Sequence, residues 1–132
     1  MQLLFLTSLA QKKNQFTAES LSMGWQFNTN NYQNEVKNSV TILLTNHDKK
    51  ATLPPGGWAI YFNAVRDIVN KDVVYGLEIS RLNDDLFQLR PIAGFLCLRP
   101  KASISLDYIS EFWILNYTEA PSGFYFVWDG YV

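Results

Sequence analysis

Apolar and aromatic residues recur at every second position in short runs along this chain, and each run stops at a cluster of Asn, Asp, Gly or Pro. No other feature constrains the fold as much. A pleated strand sends successive side chains to opposite faces, whereas a helix needs a period near 3.6. Leu21, Met23, Trp25 and Phe27 fall on one face, and Asn28-Thr29-Asn30-Asn31 then supplies turn chemistry. Val36 to Thr45 predicts a strand with Val36, Val40, Ile42 and Leu44 inward, ended by the polar turn Asn46-His47-Asp48-Lys49-Lys50. Leu53-Pro54-Pro55-Gly56-Gly57 leads into another strand at Trp58 to Phe62. Tyr75 to Leu82 and Leu86 to Leu89 flank a turn at Asn83-Asp84-Asp85. Ile104, Leu106, Tyr108, Ser110, Phe112 and Ile114 form the inward face of one long strand, with Ser103, Asp107, Ile109, Glu111 and Trp113 outward. In the last strand Phe124, Phe126 and Trp128 oppose Tyr125, Val127 and Asp129. Only Ala64 to Asn70 offers a helical or irregular turn.

Roughly seven or eight strands with turn signals about every ten residues predict an all-β fold, an antiparallel β-sandwich of two sheets in the immunoglobulin-like manner. The content of four Trp, seven Tyr and nine Phe agrees, because aromatic rings suit a half-buried pleated surface. Ile42, Leu44, Ile60, Phe62, Leu106, Phe112, Phe124 and Phe126 are the expected core. A chain of 132 residues fits one domain. The sandwich is expected over 21–132, and 1–20 reads either as a first strand or as the remnant of a signal peptide, since Met1 to Ala10 is a short apolar run ending in small residues.

Composition also excludes several functions. The net charge is −1 with both signs interspersed, which leaves no footprint for nucleic acid or anionic lipid, and no run is long enough to span a membrane. Cys97 is the only cysteine, so no internal disulfide forms; its apolar setting reads as a buried, inert thiol. His47 is the only histidine and lies in a hydrophilic turn without companions that would complete a metal site or a nucleophilic triad. Asp84, Asp85, Asp107, Glu111 and Asp129 are the carboxylates that could form an acid–base pair. Asp84 and Asp85 are explained by turn chemistry alone. No Gly-rich phosphate loop is present, and the acidic turn lacks the further ligands a calcium site needs. No catalytic residue, metal site or cofactor emerges.

Three stretches carry a family resemblance. They are Pro55-Gly56-Gly57-Trp58-Ala59-Ile60-Tyr61-Phe62 with Val65-Arg66, then Leu82 to Leu89 leading into Pro91-Ile92-Ala93-Gly94-Phe95. The third is Glu111-Phe112-Trp113-Ile114-Leu115 with Thr118-Glu119-Ala120-Pro121-Ser122-Gly123-Phe124-Tyr125-Phe126-Val127. Together they resemble the N-terminal domain of bacterial chitobiases and β-N-acetylhexosaminidases of glycoside hydrolase family 20, over about Leu21 to Asp129. The resemblance implies a sandwich similar to a bacterial cellulose-binding domain, a non-catalytic role beside a catalytic barrel, and export from a bacterial cell. The family's catalytic Asp-Glu pair belongs to that barrel, which needs at least about 200 residues, and no position here matches it. The chain departs from the family pattern at three turn positions, with Asp84 and Lys101 in place of Gly and Glu119 in place of Asp.

Two functions follow as expectations. The chain either binds a carbohydrate of the N-acetylglucosamine type or packs as a structural module on the catalytic domain of the same polypeptide. Sugars stack their apolar faces on aromatic rings while nearby polar groups take the hydroxyls. On that ground Trp113, with Glu111 and Asp107 on its strand face, is the first candidate patch, and Tyr125 and Tyr61 come next.

Overall fold

The computed structural model describes residues 16–65, 67–68, 75–115 and 121–129. The expected N-terminal strand over 1–10 lies outside these. Seven strands lie among the described residues: β1 (Leu21–Thr29), β2 (Lys37–Asn46), β3 (Trp58–Asn63), β4 (Leu77–Asn83), β5 (Leu86–Pro91), β6 (Ser103–Glu111) and β7 (Ser122–Trp128). They form two antiparallel sheets, one ordered β1-β2-β6 and the other β4-β5-β3-β7, and the described residues contain no α-helix. The expectation of an antiparallel sandwich is met.

The core lies between the sheets. Val40, Ile42 and Leu44 of β2 and Leu106 and Tyr108 of β6 meet Trp58, Ile60 and Phe62 of β3 and Phe87 and Leu89 of β5. Loops close the ends: Leu53 and Leu98 exchange backbone hydrogen bonds, and buried Asn46 donates Nδ2 to the carbonyls of Ala51 and Leu98. Phe16 also belongs to this core, with its ring against Phe126 and Trp128. Tyr108 is buried beneath β6, and desolvation pushes its phenol above the usual tyrosine range.

Several inward residues behave differently from their alternation. Phe112 is 58% exposed instead of buried, because β6 ends at Glu111 and the backbone of Phe112 turns to φ 63. Phe124 and Phe126 pack on the core only in part, since among the described residues β7 is an edge strand. Val36 precedes β2 and is 52% exposed. Phe27 sits at a register shift in β1 and is 40% exposed. Ile109, expected outward, is buried together with its register partner Ser39. Cys97 is half-buried rather than sealed in the core. Asp84 and Lys101 both adopt left-handed backbone, at φ 29 and φ 65. A glycine would sit in either without strain, which accounts for the family preference at these two turns.

Candidate functional site

The two sheets present different outer faces. On the three-stranded sheet the cross-strand neighbours are short and polar. Asn28 Nδ2 donates to Thr41 Oγ1 at 2.9 Å, Thr41 Oγ1 donates to Asp107 Oδ1 at 2.5 Å, and Thr45 and Ser103 join hydroxyls at 2.8 Å. Near one end of this face exposed His47 hydrogen-bonds Ser22 through Nε2 at 2.7 Å. These polar side chains satisfy one another, and Leu43 of β2 is exposed among them.

The four-stranded sheet carries an aromatic row instead. Register pairs Ser80 with Gln88, Gln88 with Tyr61, and Tyr61 with Tyr125, so one line of side chains crosses all four strands. The Tyr61 and Tyr125 rings lie nearly parallel, with centroids 5.2 Å apart and an interplanar angle of 16°. Directly opposed cross-strand residues make this contact, and such aromatic pairs stabilise a sheet by about 0.5–1.5 kcal/mol beyond burial. Gln88 Nε2 donates to the Tyr61 hydroxyl at 3.0 Å, which fixes the ring from its other side. Tyr125 remains 52% exposed at the β7 edge. The next polar row is an ion pair between Arg90 and Glu78 at 3.1 Å, joined by Ser80 Oγ at 3.2 Å from the same carboxylate oxygen. A half-exposed ring backed by a second tyrosine, with an amide and an ion pair farther along the same sheet face, can stack a sugar and leave its rim groups within reach of polar side chains.

The remaining candidates are placed elsewhere. Asp107 and Glu111 share the outer face of β6, four positions apart, which at strand spacing separates them by about 13 Å. Trp113 lies past the end of β6, beyond the reversed backbone of Phe112, and is 43% exposed. The structure therefore brings Tyr61 and Tyr125 into contact and sets Trp113, Glu111 and Asp107 on or beside the other sheet.

Two asparagines hold the Trp113 segment. Asn30 makes a reciprocal pair with the Ile114 backbone, donating Nδ2 to its carbonyl at 3.0 Å and accepting its N–H through Oδ1 at 2.8 Å. Asn38, fully buried, donates Nδ2 to the Phe112 carbonyl at 2.7 Å. These amides replace the ladder that the strand would otherwise supply. The exposed surface around them is apolar: Val36, Phe112, Trp113 and Leu115. Gln88, Asn30 and Asn38 are the residues that sequence reasoning missed. A polar residue at an inward position, as Asn38 is within Val36 to Leu44, was the available signal.

Among the described residues no group of three His, Cys, Asp or Glu side chains could hold a metal ion, and no helix is long and apolar enough to cross a membrane.

The comparisons with known proteins bear on the family and the fold. No curated protein matches the chain. Among solved structures, the fold is similar to the chitin-binding domain of Chi18aC from Streptomyces coelicolor, with a TM-score of 0.54 and 13% identity, covering 87% of this chain and 100% of that one. At that identity the likeness establishes the fold alone. A family model, CHB_HEX, described as "Putative carbohydrate binding domain", matches residues 13–131. With nearly its whole length matched, and with the sandwich and aromatic sheet face described above, the chain belongs to this carbohydrate-binding domain family.

Proposed function

We propose that the chain is a non-catalytic carbohydrate-binding module that takes N-acetylglucosamine-containing glycans such as chitooligosaccharides, as an accessory domain of an exported β-N-acetylhexosaminidase. One observation carries the reading: Tyr125, half-exposed, is braced by Tyr61 and, through it, by Gln88 across the outer sheet face. A solvent-facing ring held rigid in this way loses little freedom when a sugar stacks on it. The chitin-binding partner named for the similar Streptomyces domain supports the choice of glycan. Calorimetric titration of chitotetraose into the chain tests it. Binding that Tyr125→Ala weakens by about 1–3 kcal/mol supports the proposal, whereas no heat at millimolar sugar removes it. Hydrolysis of a chromogenic N-acetylglucosaminide by the purified chain would contradict the non-catalytic part.

A second reading rests on the apolar end formed by Val36, Phe112, Trp113 and Leu115. Exposed apolar surface of this kind marks partner sites. In this reading that end packs on the catalytic domain of the parent enzyme, with Trp113 as its anchor. The two readings use different surfaces and can both hold.

A further inference from the structure

Beyond the two tyrosines the outer face of the four-stranded sheet reaches a carboxylate. Leu77 and Ile79 of β4 and Phe87 and Leu89 of β5 are buried toward the core, so Glu78, Ser80, Gln88 and Arg90 point outward, on the face of Tyr61 and Tyr125. Arg90 donates Nε at 3.3 Å and Nη2 at 3.1 Å to Glu78 Oε1, and Ser80 Oγ donates to the same oxygen at 3.2 Å. None of these bonds uses Oε2. Glu78 is therefore held through one oxygen while the other is left to accept, and its side chain is 31% exposed. A carboxylate oxygen only accepts, so the group that meets it must carry an O–H or N–H, and the charge strengthens such a bond. Sugar hydroxyls and acetamido groups both supply that donor.

The strand order sets the distance between this acceptor and the stacking ring. Among the described residues Tyr125 and Glu78 stand on the two outermost strands of the order β4-β5-β3-β7. Neighbouring strands lie about 4.8 Å apart, which places Ser80 about 14 Å from Tyr125 along the paired row, with Glu78 two residues away on β4. An extended β-1,4-linked glycan advances by close to one strand spacing per sugar ring. A tetrasaccharide therefore spans the row, whereas a disaccharide on Tyr125 ends over Tyr61 and Gln88. Along the strands the face offers less. In one direction the next outward pair is Ala59 and Val127, which carry no polar side-chain atom. In the other the register shifts between Tyr61 and Asn63, and the Asn63 amide lies against Gly123.

We infer that the bound glycan crosses the strands, from the ring stacked on Tyr125 over Tyr61 and Gln88 to Glu78, whose Oε2 accepts a hydrogen bond from the sugar farthest from Tyr125. This rests on the carbohydrate-binding reading above and adds the direction of the glycan, the length it needs and a second contact residue. The ion pair with Arg90 holds the carboxylate ready, so little freedom is lost when the sugar arrives.

Chitobiose and chitotetraose titrated into the full chain test it. Chitotetraose is expected to bind at least about tenfold more tightly than chitobiose, as one further hydrogen bond to a charged group supplies. Glu78→Gln is expected to remove that advantage and leave chitobiose binding unchanged, because the shorter sugar does not reach β4. The Arg90 Nε–H resonance of the unaltered chain gives a second measurement that needs no variant: chitotetraose is expected to shift it and chitobiose to leave it in place. Equal affinity for the two lengths, with binding still lost in Tyr125→Ala, overturns the crossing path and leaves the carbohydrate reading standing. A Glu78→Gln loss shared equally by both lengths makes the carboxylate structural, and no loss at either length removes it from the site; both results overturn the contact. An Arg90 resonance that chitotetraose leaves unmoved does the same. Binding of neither sugar removes the inference together with the reading beneath it.

Discussion

Two of the aromatic regions that reach the surface are built by opposite means. Tyr61 and Tyr125 stand on regular strands, each facing its register partner, and the sheet ladder alone sets their spacing. Phe112 and Trp113 stand where a strand has ended, on backbone turned to φ 63 at Phe112 and held by asparagine side chains from β2 and the turn that precedes it. The first region follows from local periodicity. The second depends on residues more than seventy positions away in sequence, as the separations of 84 and 74 for the Asn30 and Asn38 bonds show. A ring on a ladder has a fixed place and polar neighbours at predictable spacing, as a sugar platform needs. A ring on a clamped, irregular segment presents apolar surface without such a frame, which suits a protein partner better.

The largest expected effect separates two phenylalanines that alternation assigns alike. Phe62→Ala should cost about 3–5 kcal/mol, because its ring is fully buried between Phe87 and Phe124. Phe112→Ala should cost under about 1 kcal/mol, as for an exposed position. Urea denaturation of both variants measures the difference, and similar losses would place Phe112 in the core after all. Next in size, Asn38→Ala should cost about 2–3 kcal/mol by leaving the Phe112 carbonyl without its donor. It should also shift the tryptophan fluorescence of the native state, since Trp113 follows the clamped residue; an unchanged spectrum would mean that the segment holds its place unaided. Gln88→Ala should cost about 1 kcal/mol, the net worth of its hydrogen bond to Tyr61, and should weaken sugar binding more than it weakens the fold. Equal loss in both measurements would make Gln88 merely structural. The smallest effect is a gain: Lys101→Gly should stabilise by about 0.5–1 kcal/mol by relieving left-handed backbone, and a thermal melt that falls instead would contradict the turn geometry.

Sequence periodicity held along most of the ladders, with Phe27 and Ile109 as exceptions. Ile42, Leu44, Ile60, Phe62 and Leu106 are buried as alternation requires, and Tyr61 and Tyr125 face outward as expected. It stopped at Glu111, where alternation would carry Phe112 inward and the backbone reverses instead. No local signal marks that reversal, because Asn30, in the turn after β1, and Asn38 of β2 stabilise it and become its neighbours only after folding. The same limit explains the ranking of site residues. Trp113 looks continuous with Glu111 and Asp107 when β6 is read as one long strand through residue 114, and it leaves their strand once β6 ends at Glu111. Gln88 and Ser80 join the tyrosines through strand order β4-β5-β3-β7, which alternation within single strands does not encode.

One titration tests the central claim, that the ladder-built tyrosine face holds the sugar and the clamped end does not. Chitotetraose should be titrated by calorimetry into the unaltered chain, Tyr125→Ala and Trp113→Ala under one set of conditions. The account predicts that Tyr125→Ala loses about 1–3 kcal/mol of binding while Trp113→Ala binds like the unaltered chain. Loss of binding in Trp113→Ala with full affinity in Tyr125→Ala would contradict it.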